Sequence, residues 1–453
     1  MTTYFDVTDI IQYAKGNSRV SGIQRVQLRI VAELTRPGTR HDVGIVYFDE
    51  DKKQHLRFDP NQVFDPKDNG FNPKHVLQSL GITTPGLTPE KYQIRRFLKP
   101  YDHNKLLRGL VKAKLHMLAL LAPNRLLAMG FHEWRVLDAT IPKATATPIQ
   151  LHKEDKLAFL GAFWAFDEVI KLAQEHRDKG GRVAILVHDV IAHVAPQYCS
   201  EGQLQQFWPR FSQASKFANR FLAVSAHTAR DFASSFDAHA PTSKVTVTRL
   251  AHEFSNLPRV TPSTPPAPAL QHACKPFVLC LGTIEVRKNG TLLLKAWQRL
   301  HTRLGDKTPD LLFCGKYGWK TGEFKSILAS SNILRQKVQV VNSPSDPELA
   351  DLIRHSLFTV FPSHYEGWGL PVGEAAWLGK LTVASDQSAI PEVLGDLVRY
   401  ASPSNVDAWV AQLAELIENP STVQQLEQRI QSAPLRSWAD AAQDMLQAIN
   451  ADD

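Results

Sequence analysis

Short apolar runs, rich in β-branched and aromatic residues, alternate with amphipathic segments in the first part of the chain. The runs are typical of buried strands and predict them at residues 43–47, 157–160, 183–187, 221–224 and 245–247. Apolar positions that recur every three or four residues predict helices at 22–34, 164–174, 203–217 and 225–234. Because strands and helices alternate, we expect a parallel sheet with helices on both faces.

A second alternating series follows a proline-rich segment. Five prolines lie between residues 258 and 268, and they favour an extended spacer. Beyond it, strands are predicted at 277–281, 311–314, 338–341, 357–361 and 381–385, with a helix at 291–304. The pattern predicts an α/β protein of two doubly wound domains, 1–257 and 270–434, joined by a linker at 258–269. Ligands of such domains bind in a cleft at the carboxyl ends of the strands.

Length and composition fit this two-domain interpretation. The chain has 453 residues, of which 43% are hydrophobic and 21% charged, as is usual in soluble globular proteins. Its four cysteines lack the spacing of a metal site or a disulfide framework, which favours a reducing compartment. Neither a secretory signal nor an apolar run of roughly 20 residues is visible. We therefore expect a cytoplasmic protein.

Positive charge is concentrated in the first part of the chain. The formal net charge is +7, yet from Leu270 onward the acidic residues outnumber the basic ones, 20 to 17. Such an asymmetry favours an anionic partner. The segment 91–125 has nine basic residues, one acid (Asp102) and leucines at helical spacing. It is either a basic helix that lies on an anionic membrane, at the inner face of the cytoplasmic membrane, or an insertion helix that packs its leucines on the sheet.

The segment 361–375 combines two carboxylates with a glycine-rich loop. Glu366 and Glu374 flank a loop with three glycines, and Pro371 stands where a helix is expected to begin. This predicts a strand, a loop of exposed amides, and a helix with Glu374 in its first turn. Amides at a helix N-terminus bind phosphate, and the acids bind hydroxyls, so the pattern indicates a nucleotide-sugar site. The alternative is a capping acid (Glu374) and a solvent-facing loop acid (Glu366).

This segment resembles the Glu-x7-Glu signature of retaining glycosyltransferases of family 4, which have the GT-B architecture. The resemblance implies two Rossmann-like domains that face a central cleft, with a last helix, 435–453 including Trp438, that crosses back to the first domain. It implies that Glu366 binds the donor hexose and that Glu374 binds the ribose hydroxyls. The residues between them are implied in donor binding as well: Gly367, Trp368, Gly369 and Leu370.

A glycine turn followed by two cations stands after the first predicted strand of the second domain. The stretch reads Gly282-Thr283-Ile284-Glu285-Val286-Arg287-Lys288-Asn289. A diphosphate leaving group needs fixed positive charge, which Arg287 and Lys288 can supply; alternatively the pair is ordinary solvated surface. The stretch resembles a variant that is common in bacterial mannosyltransferases of family 4. The resemblance implies that Arg287 and Lys288 bind the donor diphosphate beside Gly282 and Thr283.

Further residues are implied by the same resemblance. His188, at the end of a predicted strand, is similar to the family's histidine near the anomeric centre. Gly22 belongs to a loop like the one that faces the donor phosphate, although Ser21 before it is equally consistent with a plain helix N-cap. Gly315 and Tyr317 border the nucleotide base, and Ser225 caps a helix. Asp6 and Asp9 receive no role.

Together these resemblances imply a retaining hexosyltransferase. It would transfer mannose from GDP-mannose to a glycan or lipid-linked acceptor in the synthesis of a bacterial surface polysaccharide such as lipopolysaccharide or capsule. No cofactor and no nucleic-acid partner are expected. No metal ligand set is expected either, since Arg287, Lys288 and helix amides take the place of a divalent cation. Two alternatives remain open: a sugar-nucleotide epimerase of GT-B shape, and an inactive scaffold that binds a polyanion.

Overall fold

The structure is a computed structural model of the chain. The residues it describes are 1–17, 20, 22–39, 42–64, 72–82, 98, 101, 104–121, 141–235, 244–255, 257–259, 275–342 and 344–451. Ser21, most of the predicted linker at 258–269 and parts of the basic segment at 91–125 lie outside these residues.

The described strands and helices alternate through most of the chain. In chain order the strands are β1 (Thr3–Asp6), β2 (Val43–Asp49), β3 (Gln54–Phe58), β4 (Ala146–Pro148), β5 (Lys156–Phe159), β6 (Arg182–Val187), β7 (Arg220–Ala223), β8 (Lys244–Val247), β9 (Phe277–Leu281), β10 (Asp310–Cys314), β11 (Val338–Val341), β12 (Thr359–Phe361), β13 (Thr382–Ser385) and β14 (Arg399–Ala401). The helices are α1 (Thr8–Ala14), α2 (Gly22–Leu34), α3 (Pro73–Ser79), α4 (Lys105–Leu121), α5 (Asp167–Asp178), α6 (Ile191–Val194), α7 (Glu201–Ser215), α8 (Ala226–Ser235), α9 (Gly290–Leu304), α10 (Gly322–Ser330), α11 (Asn332–Lys337), α12 (Asp346–His355), α13 (Leu370–Trp377), α14 (Ile390–Leu394), α15 (Val406–Glu418), α16 (Pro420–Ser432) and α17 (Trp438–Asn450).

By its internal contacts the chain divides into two compact units. The first holds residues 1–6, 29–43 and 151–453, and the second holds 7–28 and 44–150. This division does not fall at the proline-rich segment, and the domain boundaries predicted there stay a prediction.

The first unit contains a parallel sheet in the order β1, β5, β6, β7 and β8. Every residue of β1, β5 and β7 is buried, as expected for strands covered on both faces. The strands predicted at 157–160, 183–187, 221–224 and 245–247 are confirmed to within one residue at each end. The helix predicted at 164–174 begins later, at Asp167, because Phe163–Ala165 forms a separate 3-10 turn.

The same unit contains a second parallel sheet, in the order β11, β10, β9, β12, β13 and β14. Its core includes the fully buried Trp297, whose indole N–H donates to the Pro309 carbonyl at 2.9 Å. The strands predicted at 277–281 and 338–341 match β9 and β11, and the predicted 291–304 helix is α9 with one residue added. The predicted α/β class, with two parallel sheets, is therefore confirmed.

The final helix returns to the first sheet. Helix α17 packs against β7, and the Arg220 guanidinium of that strand donates to the Ala451 carbonyl just beyond the helix at 3.0 Å. At the start of the helix, the Trp438 indole N–H donates to the Glu253 carbonyl at 3.0 Å. This is the crossing that the sequence predicts for the last helix.

The second unit has a different architecture. Strands β2, β3 and β4 pair antiparallel, and helices α1, α3 and α4 accompany them. The strand predicted at 43–47 is β2, extended to Asp49, whereas β3 and β4 were not predicted. Helix α4 lies inside the basic segment predicted at 91–125 and ends before Pro123, because a proline cannot continue a helix.

Candidate active site

Predicted site residues follow the carboxyl ends of four strands. His188 comes directly after β6, Gly282 after β9 and Gly315 after β10, while the glycine-rich loop begins after β12. Parallel strands present these ends at one edge of their sheet, where α/β proteins bind ligands. The strands therefore bring Gly282, Gly315 and the glycine-rich loop to one edge of the second sheet, and His188 to the corresponding edge of the first.

Helix α13 begins one residue earlier than the sequence predicts. Gly369, with φ of 123°, occupies the N-cap, Leu370 is the first helical residue and Pro371 follows it. Such a backbone conformation is open to glycine and strained for other residues, so it allows the helix to start ahead of the proline. Glu374 is consequently the fifth residue of α13, and the prediction that it lies in the first turn is wrong. Its side chain is buried, with 4% exposure.

Glu366 is the centre of a buried ion-pair network. One carboxylate oxygen, Oε2, lies 2.5 Å from the Arg287 guanidinium, and Oε1 lies 2.6 Å from Lys288 Nζ. Arg287 is held further by Glu285 Oε1 at 2.8 Å and by the Tyr365 carbonyl at 2.8 Å. The interpretation of Glu366 as a solvent-facing acid is therefore wrong, since only 8% of it is exposed. The structure joins the predicted diphosphate cations to the predicted sugar carboxylate.

The charges of this network are mutually stabilising. Burial would raise the pKa of Glu366, but the Arg287 and Lys288 charges and their hydrogen bonds outweigh it and lower that pKa to about 2. Burial likewise opposes the charge on Arg287, and the carboxylates of Glu366 and Glu285 outweigh it and raise the Arg287 pKa. Burial raises the pKa of Glu285 against the opposing charge of Arg287. Two cations are thus balanced by two protein carboxylates.

His188 is held in one tautomer by a backbone carbonyl. Its Nε2 lies 2.7 Å from the Leu160 oxygen, which can only accept, so Nε2 carries the hydrogen. Burial lowers the pKa of His188, more than the hydrogen bond to Leu160 and the nearby Asp189 raise it. The ring is therefore neutral near pH 7, and Nδ1 is left as its hydrogen-bond acceptor. Burial raises the pKa of Asp189, against the charge of Arg287.

The glycine-rich loop lies directly against the end of β6. A Cβ atom at Gly367 would lie 1.8 Å from the His188 carbonyl oxygen, far inside contact distance. On the other side, the Thr228 hydroxyl donates to the Gly367 carbonyl at 3.2 Å. Only glycine permits this approach. The structure thus brings His188 and the loop of Glu366 together, and the roles that the resemblance implies for them stay predictions.

Another close backbone approach joins the ends of β9 and β10. Gly282 has φ of 118°, and a Cβ at Gly315 would lie 2.1 Å from the Gly282 oxygen. Thr283 lies beside Gly318, where a Cβ would meet the Thr283 methyl group at 2.7 Å. Tyr317 is 41% exposed, and Lys325 Nζ lies 4.9 Å from the centre of its ring. An exposed ring at this edge is suited to contact a nucleotide base, and that role stays a prediction.

The other predicted donor residues are placed as follows. Trp368 is buried, and its indole N–H has no hydrogen-bond partner within the described part of the chain. Leu370 begins α13. Gly22 is the first residue of α2 and belongs to the second unit, and its contact with donor phosphate stays a prediction. Among the described residues there is no group of three or more His, Cys, Asp or Glu side chains that could hold a metal ion.

Sequence reasoning missed a carboxylate that caps helix α8. Glu392 accepts hydrogen bonds from the backbone N–H groups of Ala226 and His227, both at 2.7 Å. The predicted cap is present too, since Ser225 Oγ accepts from the Thr228 N–H at 2.9 Å. Glu392 lies in the stretch Pro391-Glu392-Val393, to which the sequence analysis assigns no role. It ties a helix of the first sheet to α14 of the second.

An aromatic contact makes a second connection between the two sheets. The rings of Tyr198 and His364 stack with centroids 5.0 Å apart and an interplanar angle of 6°. The Trp319 indole N–H donates to the Tyr198 carbonyl at 2.8 Å. The sequence alone does not indicate that Tyr198 or His364 belongs to a site. These contacts fix the segment after β6 against the loops after β10 and β12.

Comparison with known proteins identifies the class of protein to which this fold belongs. Residues 269–433 match the model of the family described as "Glycosyl transferases group 1". Among solved structures, Anabaena Alr3699/HepE in complex with UDP and glucose is similar over 99% of this chain and 98% of its own, with a TM-score of 0.58 and 12% identity. TarM is similar over 66% of this chain and 55% of its own, with a TM-score of 0.50 and 14% identity. The fold is the GT-B fold of glycosyltransferases.

The sequence relatives are more specific. The chain is 27% identical to "O-antigen chain mannosyltransferase B" of Escherichia coli over 241 residues, which are 53% of this chain and 62% of that protein. It is 27% identical to "Serotype-specific mannosyltransferase WbdA" of Escherichia coli over 253 residues, which are 54% of this chain and 29% of that protein. The matches thus cover less than two thirds of either relative. The glycosyltransferase resemblance seen in the sequence is confirmed.

Proposed function

We propose that the protein is a retaining glycosyltransferase that transfers mannose from GDP-mannose to a glycan or lipid-linked acceptor in the synthesis of a bacterial surface polysaccharide. The observation that carries the proposal is the network of Arg287 and Lys288 with Glu366, beside His188. The donor and the pathway are supported by the relatives, which are named as mannosyltransferases, one of them of the O-antigen chain.

Donor binding would exchange the partners of the two cations. A diphosphate brings negative charge to Arg287 and Lys288, which then leave Glu366 free to accept hydrogen bonds from the hexose hydroxyls. His188, neutral and with Nδ1 as acceptor, binds a further hydroxyl of the transferred sugar. Glu374 holds the ribose hydroxyls. Arg287, Lys288, Glu366 and His188 are already oriented by protein contacts before the donor binds.

The transfer itself needs no protein nucleophile. The bond between C1 of mannose and the phosphate oxygen breaks, and the bond from the acceptor oxygen to C1 forms on the same face. The acceptor proton passes to the departing phosphate oxygen, so GDP leaves and the anomeric configuration is retained. Arg287 and Lys288 stabilise the charge that develops on that phosphate. This scheme assigns no step to a metal ion.

A donor panel tests the proposal. GDP-mannose, GDP-fucose, UDP-glucose and UDP-N-acetylglucosamine are compared for slow hydrolysis and for thermal stabilisation. GDP-mannose should be hydrolysed and should stabilise the protein, by about 2.7 kcal/mol at 100 times its Kd. Preference for a UDP-sugar would overturn the donor assignment. An epimerised nucleotide-sugar formed without acceptor would overturn the transferase assignment, and NMR of the product anomeric proton tests retention.

A further inference from the structure

Helix α4 carries a stripe of exposed apolar side chains. Leu106, Leu110, Met117 and Leu121 are 79%, 61%, 57% and 78% exposed. Their spacings of four, seven and four residues place them on one face of the helix. Leu115, on another face, is only 5% exposed. The helix is therefore packed through one face, and the stripe is a different face that no described residue covers.

Such a concentration is unusual within this protein. Of the nine large hydrophobic side chains that are exposed in the described part of the chain, five lie in this one helix: Leu106, Leu107, Leu110, Met117 and Leu121. The others are scattered singly along the chain, which needs no explanation. A contiguous exposed apolar surface marks a place of interaction. An insertion helix packed on a sheet accounts for Leu115 but not for the stripe.

The charges of α4 indicate what the stripe meets. The helix contains Lys105, Arg108, Lys112 and Lys114 and no acidic residue. A purely apolar protein groove gives no reason for four cations without an acid, whereas an anionic lipid surface complements both features. The long lysine and arginine side chains can reach headgroups while the leucines enter the interface.

The dimensions of α4 fit a helix that lies on a membrane. Its 17 residues make a helix of roughly 25 Å, shorter than the hydrocarbon core of about 30 Å. None of the described helices is long and apolar enough to cross a bilayer. We propose that α4 binds anionic bilayers reversibly in the plane of the interface, with the Leu106–Leu110–Met117–Leu121 stripe at the boundary between headgroups and acyl chains.

Vesicle flotation tests this with the full-length protein. Wild type should float with vesicles of phosphatidylcholine and phosphatidylglycerol, and not with phosphatidylcholine alone. Raising salt from about 0.1 M to about 1 M shortens the Debye length from about 10 Å to about 3 Å and should release it. Failure to float with the anionic vesicles overturns the proposal.

Two helix variants separate the two contributions. Reversing Lys105, Arg108, Lys112 and Lys114 to glutamate should weaken binding on the order of a hundredfold or more. Replacing Leu106, Leu110 and Met117 by serine should abolish flotation and leave the charge unchanged. A matched control reverses four exposed basic residues elsewhere in the chain to glutamate: Arg177, Lys179, Lys216 and Lys307. This control should float like wild type. Flotation of both helix variants like wild type would overturn the proposal.

Folding and self-association are checked on the same samples. Circular dichroism and thermal melting of the variants should match wild type, since the replaced side chains are exposed. Wild type that forms dimers in solution, loses them in the serine variant and ignores vesicles would show a contact between copies instead, and would refute the lipid assignment. These readouts need no donor or acceptor, so they stand or fall independently of the transferase proposal.

Discussion

Replacing Glu366 by glutamine removes one charge from the buried network and keeps the shape of the side chain. The Glu366 pKa is lowered from 4.5 to about 2, and each pKa unit corresponds to about 1.4 kcal/mol. The charged form therefore stabilises the fold by about 3 kcal/mol relative to the protonated form, which glutamine imitates. Little of this is lost to solvent screening, because the Glu366 side chain is only 10% exposed.

The effect should depend on pH with a definite sign. Because the folded pKa lies below the unfolded one, the stabilisation is fully present well above pH 4.5 and is lost as the pH falls from 4.5 toward 2. We expect Glu366→Gln to cost about 3 kcal/mol at pH 7 and only about 1 kcal/mol at pH 3. Asp189 and Glu285 are present in both proteins, and burial, the largest cause of their raised pKa values, acts in both. The Glu366 charge is a smaller cause, which the substitution removes.

Urea unfolding followed by tryptophan fluorescence, from pH 7 to pH 3, measures this difference. Glu415→Gln is the matched control, since Glu415 pairs with Arg399 at 3.1 Å but is 46% exposed. That exposed pair should contribute less than about 1 kcal/mol at every pH. If Glu366→Gln were as stable as wild type at pH 7, or if its cost did not shrink on acidification, the network would not hold Glu366 as inferred.

Three further predictions concern the proposed transfer reaction. Gly367→Ala should lower kcat/KM for mannosyl transfer about 100-fold, because its Cβ displaces the loop from the end of β6; Gly322→Ala, whose Cβ would meet nothing within 4 Å, should leave it unchanged. Arg287→Ala or Lys288→Ala should each lose about 3 kcal/mol of transition-state stabilisation, measured in kcat/KM. Transfer by the wild type should persist in EDTA, and loss of transfer in EDTA with rescue by Mn²⁺ would show that the two cations are not sufficient without a metal ion. Glu374→Ala should raise the donor KM with little change in kcat, and an unchanged KM would remove Glu374 from the donor site.

Much of the fold is readable from the sequence because its strands are buried on both faces. Continuous apolar runs mark β6, β7 and β9, and their helices follow from periodicity. Strand β1 was not predicted because two of its four residues, Thr3 and Asp6, are polar although buried. Strand β14 was not predicted because it has only three residues, two of them partly exposed. Short or polar strands need tertiary contacts to be recognised.

The sequence motifs name candidate site residues one by one, but they do not predict how these residues are arranged. The motifs identify Arg287, Lys288 and Glu366, yet the pairing of Lys288 with Glu366 spans 78 positions, and periodicity carries no information at that distance. The same holds for Glu392, which caps a helix 166 positions away. The start of α13 was misplaced because the backbone conformation of Gly369 is a property of the folded loop.

The network also explains why cations and acid occur in one site. A buried arginine or lysine without a counter-charge is costly, and removing one partner of a buried pair is strongly destabilising. Glu366 supplies that counter-charge inside the protein, so Arg287 and Lys288 stay charged and oriented before any diphosphate arrives. In the proposed reaction, the acid assigned to the hexose is thus also the group that a diphosphate must displace. Donor binding and the release of Glu366 toward the sugar then become one event.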